Sequence, residues 1–499
     1  MHNIRRLVLI PVAIAIAAAL VVRSRGPEPI RHVILFIGDG MQLAHEVAAS
    51  RYLYDKDDGL AWHAFPYQTD VTTWDVTTYN KFAGLRKEPP YDQVRFNPTV
   101  GYDPALGGSR PYPLVTSEAA ERYFLPPGGT PFATDSASAA TAWATGVKTD
   151  DGNIAWLPGD PDGGRLPTLA SLLRAERGFA IGIVTTMPFT HATPAAQVSH
   201  NVSRNNYRAI AEEIVRAVKP DVVIGGGHPD YTATYMPKPL VAELKADPAY
   251  VVTERQANVD GAAALASAAR AAIAKGKKLF GLFGGASGNF ESPVPVDAPG
   301  FPEVRPATPE NPRLADATRA ALDALSRDKD GFFVLIEQGD IDAANHDNNY
   351  ARMIGTMWDL DQAVRAAAAF VDRPGDGVTW ENTLLVVTAD HANSGMRLNP
   401  AVRLRAGDLP AQDGKPGAFT YPDAAVSYGT EGHTNELVMI YARGAAVKAF
   451  QQYEGTWYPC TRIIDNTQIF NALAGAAGLS ARSPLHPIVA REPCRADGR

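Results

Sequence analysis

The sequence predicts an α/β protein whose central, largely parallel sheet is covered by helices on both faces. Short apolar runs rich in β-branched and aromatic residues alternate with alanine-rich segments of helical period. This alternation is typical of a parallel sheet whose helices cross between strands. The chain has 499 residues, of which 45% are hydrophobic and 20% are charged. That balance is typical of a globular protein that can bury a large core.

Each predicted strand is a short apolar run that ends at glycine or a polar residue, as strands do where the chain turns. In chain order the predicted strands are HVILFIG, FAIGIVTT, DVVIGGG, LFGLFGG, GFFVLIEQ, TLLVVTAD and LVMIYARG. The predicted helices between them are rich in alanine, leucine and arginine, which have high helix propensity. They are YRAIAEEIVRAV, AALASAARAAIAKG, LADATRAALDALSR and MIGTMWDLDQAVRAAAAFV. In such a sheet, ligands bind beyond the carboxyl ends of the strands.

We expect one main domain over residues 30–480, followed by a C-terminal tail at 481–499. Two segments interrupt the alternation, at about 75–130 and 398–429, because they are irregular and carry no sustained hydrophobic period. They are predicted to be insertions over the active-site face. Their role is left open between solvent-facing loop packing and a rim that selects substrates.

The N-terminal residues 1–29 are predicted to direct export. Positive charge in NIRR precedes an apolar run at 7–22 and the polar stretch RSRGPEP. The segment is either a cleaved signal peptide or a membrane anchor, so the protein is expected in the periplasm or outside the cell. The only cysteines are Cys460 and Cys494, which either form one disulfide in an oxidising compartment or remain as two thiols.

The charge pattern argues against nucleic acid as a specific partner. The formal net charge is −7, and no block of basic residues occurs along the chain. An anionic substrate would therefore need local positive charge from metal ions or a well-placed arginine.

Acidic and imidazole side chains gather at the predicted strand ends. They are Asp39, Glu337, Asp342, His346, Asp390, His391 and, just before the last strand, His433. Buried carboxylates and imidazoles are costly unless they are paired or bind a metal. Asp342 and His346 are four residues apart and face the same way on a helical turn, whereas Asp390 and His391 are adjacent. The pattern predicts two metal ions, with mixed nitrogen and oxygen sets suited to zinc.

Ser136 is the candidate nucleophile. The stretch FATDSASAATAWATGVKT predicts a tightly packed helix that begins near Ser136. One interpretation is purely structural, with Ser136 or Asp135 acting as an ordinary helix N-cap. The alternative is a serine held where helix N–H groups favour a phosphate, with a metal nearby to activate the hydroxyl.

Taken together and in this order, six motifs resemble the alkaline phosphatase family: IGDGM, TDSASAATA, HATPAAQVSHNVSR, EQGDIDAANH, TADH and GHT. The resemblance implies two Zn²⁺ ions and one Mg²⁺ ion per chain. Asp39 would bridge one zinc and the magnesium, and Asp390 and His391 would complete that zinc site. Asp342, His346 and His433 would bind the second zinc. Thr193 and Glu337 would complete the magnesium site.

The resemblance also implies that Ser136 is the nucleophile and that Arg204 binds two phosphate oxygens. A guanidinium suits this bidentate contact better than an ammonium does. Asp135 and His191 are expected beside these groups without binding a metal themselves. His191 either alters which ion the magnesium site prefers or is simply a hydrogen-bonded histidine. Ala343 stands where many members have lysine, histidine or tryptophan, so one phosphate contact is expected to be missing.

The resemblance implies hydrolysis of small phosphate monoesters at alkaline pH through a phosphoserine intermediate, by a protein expected to be a homodimer. Two alternatives remain. The same core can serve phosphodiesters or phosphonate esters, and the chain could instead be a non-catalytic metal- or phosphate-binding protein of the envelope. The full set of three metal sites, with Thr193 and Glu337 present, favours the monoesterase over the diesterase. The presence of every catalytic residue, including the nucleophile, counts against the binding protein.

Overall fold

A ten-stranded sheet forms the centre of the computed structural model, which describes residues 29–104, 132–375 and 377–480. The strands are β1 (His32–Gly38), β2 (Tyr67–Thr72), β3 (Ala180–Pro188), β4 (Val222–Gly226), β5 (Tyr250–Glu254), β6 (Lys278–Leu282), β7 (Val294–Val296), β8 (Glu303–Arg305), β9 (Phe332–Gln338), β10 (Thr383–Thr388), β11 (Ala392–Asn393), β12 (Arg397–Leu398), β13 (Val426–Ser427), β14 (His433–Thr434), β15 (Val438–Gly444) and β16 (Ile464–Asp465). The main sheet has the order β16-β2-β15-β10-β1-β9-β3-β4-β6-β5. The other strands form three small pairs, β7-β8, β11-β14 and β12-β13.

Helices connect most of these strands. They are α1 (Leu43–Tyr54), α2 (Val76–Arg86), α3 (Pro98–Gly101), α4 (Ser136–Thr145), α5 (Leu169–Arg177), α6 (Ala192–Val198), α7 (Tyr207–Glu212, continued as a π-helix over Glu213–Val218), α8 (Lys238–Ala246), α9 (Gly261–Lys275), α10 (Leu314–Leu325), α11 (Asp340–His346), α12 (Tyr350–Val371), α13 (Lys448–Gln451) and α14 (Asn466–Ala476). The predicted α/β class is therefore confirmed.

All seven predicted strands are present, as β1, β3, β4, β6, β9, β10 and β15. In the main sheet, β15 is antiparallel to β10 and β2, while the other strand pairs are parallel. The strands at the centre are fully buried, which is why their sequences are continuously apolar. The sequence analysis missed the other three strands of this sheet. β2 and β5, with the sequences YQTDVT and YVVTE, contain too many polar residues to form such a run, and β16 has only two residues.

The first predicted insertion is more ordered than expected where the structure describes it. Residues 76–86 form α2, which begins at Asp75, because the Asp75 carboxylate accepts a hydrogen bond from the Thr78 N–H at 2.6 Å. Around Trp74, aromatic residues of this segment pack against Trp457 and Tyr458 in a small separate core. Residues 105–131 lie outside the described part. The second predicted insertion, 398–429, is irregular apart from Leu398 at the end of β12, the short strand β13 and an isolated bridge between Asp413 and Thr420.

Three predictions concern the chain termini. The predicted signal or anchor lies outside the described residues except for residue 29, and the tail at 481–499 also lies outside them, so these two predictions stay open. Cys460 is disulfide-bonded, which favours the predicted disulfide over two thiols, while Cys494 lies outside the described residues. Among the helices of the described part, none combines the length and the apolar content needed to cross a membrane.

Candidate active site

The carboxyl ends of three neighbouring central strands deliver the predicted ligands to one place. β1 lies between β9 and β10, and Ile37 near its end pairs with Glu337 on one side and Thr388 on the other. Asp39 follows β1 directly, Glu337 lies near the end of β9, and Asp390 comes two residues after β10. Parallel pairing in this register explains why residues far apart in sequence meet at one edge of the sheet.

Asp39, Asp390 and His391 form the first ligand group, and one donor atom of each lies within 4.8 Å of the others. His391 Nε2 is 3.4 Å from Asp39 Oδ1 and 3.2 Å from Asp390 Oδ2. The Gly40 N–H donates to Asp390 Oδ1 at 3.0 Å. Gly40 has a φ of +69°, and a Cβ there would lie 2.7 Å from Asp342 Oδ1. Only glycine therefore fits between the two groups of ligands.

Asp342, His346 and His433 form the second ligand group. Asp342 and His346 face each other across one turn of α11, as predicted, with Oδ2 and Nε2 3.1 Å apart. His346 Nδ1 and His433 Nδ1 contact the backbone oxygens of Glu431 and Thr134 at 2.6 and 2.8 Å. Since a carbonyl oxygen can only accept, both Nδ1 atoms carry the proton.

The Nε2 atoms of His346 and His433 therefore carry lone pairs, and these lone pairs point toward each other. His346 Nε2 and His433 Nε2 are 3.1 Å apart. Two lone pairs at this distance repel unless a cation or a proton lies between them. Burial lowers the pKa of His346, but the hydrogen bond and the charge of Asp342 outweigh it and raise that pKa to about 9. The arrangement is that of imidazoles oriented by carbonyls to bind a metal.

The predicted magnesium ligands Thr193 and Glu337 are both buried beside the first group. Thr185 on β3 pairs with Glu337 on β9, and its hydroxyl donates to Glu337 Oε2 at 2.5 Å. Within the described residues, Glu337 Oε1 and Thr193 Oγ1 have no hydrogen-bond partner. Burial raises the pKa of Glu337 to about 7, although the hydrogen bond from Thr185 acts in the opposite direction. Both free oxygens are suitable ligands for a hard cation.

Ser136 is the first residue of α4, as predicted, and is buried next to the first ligand group. Its Oγ lies 3.3 Å from His391 Nε2. The Asp135 carboxylate caps the helix by accepting from the Ser138 N–H at 2.9 Å. The N–H groups of the first helical turn and the helix dipole favour negative charge at this position.

Arg204 lies beside this helix start. Its NH1 donates to Asp135 Oδ2 at 2.9 Å, and its NH2 is 3.4 Å from His191 Nε2. Burial would raise the pKa of Asp135, but the Arg204 charge outweighs it and holds that pKa at about 2. Burial also lowers the pKa of His191 to about 3, so its ring is neutral. The structure thus brings Asp135 and His191 into contact with the predicted phosphate-binding arginine.

The residues present fit a metal centre. Burial raises the pKa of Asp39 well above its ordinary range, and the charges of Asp390, Asp342 and Glu337 raise it further. Among the described residues, Asp39 Oδ1 and Asp390 Oδ2 lack a hydrogen-bond partner. Burial lowers the pKa of His391 to about 4, which keeps this imidazole neutral and able to bind a metal. Buried carboxylates with free oxygens beside neutral imidazoles need cations to balance their charge.

Sequence reasoning missed three polar neighbours of this centre. Asn393 Nδ2 donates to Asp342 Oδ1 at 2.5 Å, and Thr185 donates to Glu337. Asp340, to which the sequence assigns no ligand role, is buried and pairs with Arg352 at 2.9 Å. Asn393 lies two residues after His391, and this position close to a predicted ligand could have identified it as a neighbour of the site.

By its fold and its ligand groups, the chain is assigned to the class of metal-dependent α/β proteins. A family model described as alkaline phosphatase matches residues 128–417, more than half of the chain. The chain therefore belongs to the alkaline phosphatase family.

Curated relatives agree with this assignment. Alkaline phosphatase 3 of Bacillus subtilis is 29% identical over 384 residues, which cover 76% of this chain and 64% of the relative. Alkaline phosphatase of Escherichia coli K12 is 30% identical over 390 residues, covering 70% and 74%. Streptomycin-6-phosphate phosphatase of Streptomyces griseus is 29% identical over 506 residues, covering 94% and 96%.

Solved structures share the fold. The alkaline phosphatase of the Antarctic bacterium TAB5 aligns with a TM-score of 0.57 and 21% identity, covering 91% of this chain and 100% of that one. The alkaline phosphatase of Thermus thermophilus aligns with a TM-score of 0.59 and 21% identity, covering 92% and 93%.

Proposed function

We propose that the protein hydrolyses phosphate monoesters to an alcohol and phosphate through a phosphoserine on Ser136. The observation that carries this proposal is the position of Ser136 Oγ. It lies at the start of α4, 3.3 Å from His391 Nε2, and Arg204 contacts the preceding residue. A nucleophilic oxygen, a helix N-terminus and a guanidinium thus converge where a phosphoryl group can be bound.

The chain's own residues have distinct tasks in this reaction. Arg204 binds two phosphate oxygens and orients the phosphorus toward Ser136. Ser136 Oγ gives up its proton and forms a bond to phosphorus as the bond to the ester oxygen breaks, and the departing oxygen takes up a proton. Water then forms a new bond to phosphorus as the bond between phosphorus and Ser136 Oγ breaks. This step releases phosphate, and Ser136 regains its proton. The contact of His433 with the Thr134 carbonyl connects the second ligand group to the segment that carries Ser136.

The proposed metal content is two zinc ions and one magnesium ion. Asp39, Asp390 and His391 would bind one zinc, and Asp342, His346 and His433 the other. Thr193 and Glu337 would bind magnesium together with Asp39. When bound, these ions would neutralise the phosphoryl dianion and favour ionisation of the serine hydroxyl and of the departing oxygen. Activity is therefore expected on the alkaline side of neutral.

The test compares two substrates with the metal-loaded protein. Efficient turnover of p-nitrophenyl phosphate and little turnover of bis(p-nitrophenyl) phosphate would support the monoesterase. The reverse preference would support a phosphodiesterase, and no turnover of either would support a non-catalytic binding protein. Export and a homodimeric state stay part of the proposal and are tested by cell fractionation and by sedimentation.

A second candidate concerns the substrate. The Streptomyces griseus streptomycin-6-phosphate phosphatase aligns over 94% of this chain and 96% of its own length. Glu431, whose backbone contacts His346, is exposed beside the second ligand group. A phosphate ester with a cationic leaving group would suit this acidic side chain. A kcat/KM for streptomycin 6-phosphate well above that for glycerol phosphate would support this candidate, and equal values would exclude it.

A further inference from the structure

A third cluster of carboxylates includes Asp135, the partner of Arg204, and takes no part in the proposed metal centre. Asp75 precedes α2, Asp135 precedes α4, and Asp151 lies in the turns that follow α4. One carboxylate oxygen of each lies within 4.8 Å of the other two. Asp75 is buried, with 1% of its surface exposed, whereas Asp151 is exposed and opens the cluster to solvent.

The cluster contains more hydrogen-bond acceptors than protons. Ser138 Oγ lies 2.9 Å from Asp75 Oδ2 and 2.7 Å from Asp135 Oδ1, but its single proton can be donated to only one of them. The side chains of Asp75 and Asp151 also approach each other. Burial raises the pKa of Asp75 well above its ordinary range, and contact with Asp151 raises it further. A proton or a cation between the Asp75 and Asp151 carboxyl groups would relieve their repulsion, which Arg204 at Asp135 and Lys148 near Asp75 balance only in part.

A second observation comes from a neighbouring hydroxyl. Thr78 is fully buried and its side chain lies beside the Asp75 carboxyl. Over residues 29–104, 132–375 and 377–480, Thr78 Oγ1 has no hydrogen-bond partner of acceptable geometry. A buried hydroxyl oxygen without a partner, directed at a carboxylate group, offers a further oxygen ligand.

We propose that Asp75, Asp135 and Asp151 bind a hard divalent cation, with Ca²⁺ as the fitting probe, at a site separate from the two histidine-containing groups. The donors are all oxygens, which favour Ca²⁺ or Mg²⁺ over zinc. Two ligands of one ion can be separated by at most twice the metal–oxygen distance, about 4.8 Å for Ca²⁺ and about 4.2 Å for Mg²⁺. The three carboxylate oxygens lie within 4.8 Å of one another, close enough to share one hard cation.

The site has a consequence for phosphate binding that rests on the proposed function. Asp135 Oδ2 accepts a hydrogen bond from Arg204, and Asp135 Oδ1 faces Ser138 inside the cluster. A cation at the cluster would neutralise part of the Asp135 charge. More of the positive charge of Arg204 would then be available to phosphate, so Ca²⁺ should tighten inhibition by inorganic phosphate several-fold.

The test measures Ca²⁺ binding by calorimetry to zinc- and magnesium-loaded protein without substrate. Three variants accompany the wild type. Asp151→Asn removes one charge from the cluster at an exposed position. Asp162→Asn makes the same change at an exposed residue of the following loop and is the matched control. Glu337→Gln removes a predicted magnesium ligand and reveals whether Ca²⁺ enters that site instead.

The expected result is one Ca²⁺ per chain whose affinity falls about tenfold or more in Asp151→Asn, because ligand charge sets calcium affinity. Asp162→Asn and Glu337→Gln should leave that affinity unchanged. Equal affinity in Asp151→Asn and the wild type, or binding lost only in Glu337→Gln, would overturn the site. Absence of turnover would contradict the proposed function but not this site. An unchanged phosphate inhibition constant with bound Ca²⁺ would overturn the link to Arg204.

Discussion

Replacing Arg204 with alanine is expected to weaken inhibition by inorganic phosphate much more than it lowers kcat. The two terminal nitrogens of Arg204 lie 2.9 Å from Asp135 Oδ2 and 3.4 Å from His191 Nε2, so both are held at the helix start. Phosphate is bound in the ground state, the transition state and the product complex. Loss of a contact common to all three changes binding more than the chemical step.

The magnitude follows from the contacts. Each charge-assisted hydrogen bond contributes about 1.5–3 kcal/mol, so loss of two costs about 3 kcal/mol or more. This corresponds to an inhibition constant raised about 10²-fold, since about 1.4 kcal/mol is a factor of ten. Removal of Arg204 also leaves the Asp135 carboxylate facing the phosphate. Arg204→Lys keeps the charge without the bidentate geometry and should show an intermediate increase of about tenfold.

The assay is competitive inhibition by phosphate in steady-state turnover of p-nitrophenyl phosphate, with zinc content and melting temperature measured for each variant. An inhibition constant for Arg204→Ala within twofold of the wild-type value, in a protein with normal metal content, would refute the role of Arg204 as phosphate ligand.

Two further predictions concern the ligand groups. Gly40→Ala places a Cβ at a φ of +69° and 2.7 Å from Asp342 Oδ1, so zinc content and activity should fall sharply. Gly84→Ala, inside a helix with no atom within 4 Å of the new Cβ, is the control and should be neutral or stabilising by about 0.5–1 kcal/mol. Equal zinc content in both variants would be inconsistent with the proposed fit. The second prediction concerns pH: in the metal-stripped protein the pKa of His346 is raised from 6.5 to about 9, and that of Glu337 from 4.5 to about 7. Raised pKa values stabilise the fold below the unfolded-state values, and this contribution is lost as pH rises through the folded-state values. The lowered pKa values of His391 and His191 act in the opposite direction, but only below about pH 6.5. The melting temperature of chelator-treated protein should therefore fall between about pH 6.5 and pH 9 by more than that of the metal-loaded protein. Parallel curves in differential scanning fluorimetry would contradict this.

The sequence predicted the sheet because fully buried parallel strands require continuous apolar runs, and seven such runs became strands. β2 was not predicted because its sequence YQTDVT is mostly polar, although the strand lies inside the sheet. The helix α2 was missed for a related reason. It is fixed by the Asp75 cap and by packing of Trp74 with Trp457, which a local pattern does not reveal.

The candidate ligands could be named from sequence because buried charged groups at strand ends require a chemical explanation. The arrangement of these ligands in space could not be predicted from the sequence. The proton positions on His346 and His433 depend on carbonyl groups of Glu431 and Thr134, which lie 85 and 299 residues away. The contact of Asp75 with Ser138 likewise joins residues 63 positions apart. Such contacts exist only once the chain has folded.

The most direct test of the central claim is to trap the phosphoenzyme. Metal-loaded wild-type protein is incubated with radiolabelled phosphate at acidic pH, denatured and digested, and the labelled peptide is identified by mass spectrometry. The account predicts phosphate on Ser136 in the wild type and no covalent label in Ser136→Ala, whose metal content should stay near the wild-type value. Label that persists in Ser136→Ala, or that is found on another residue, would contradict it.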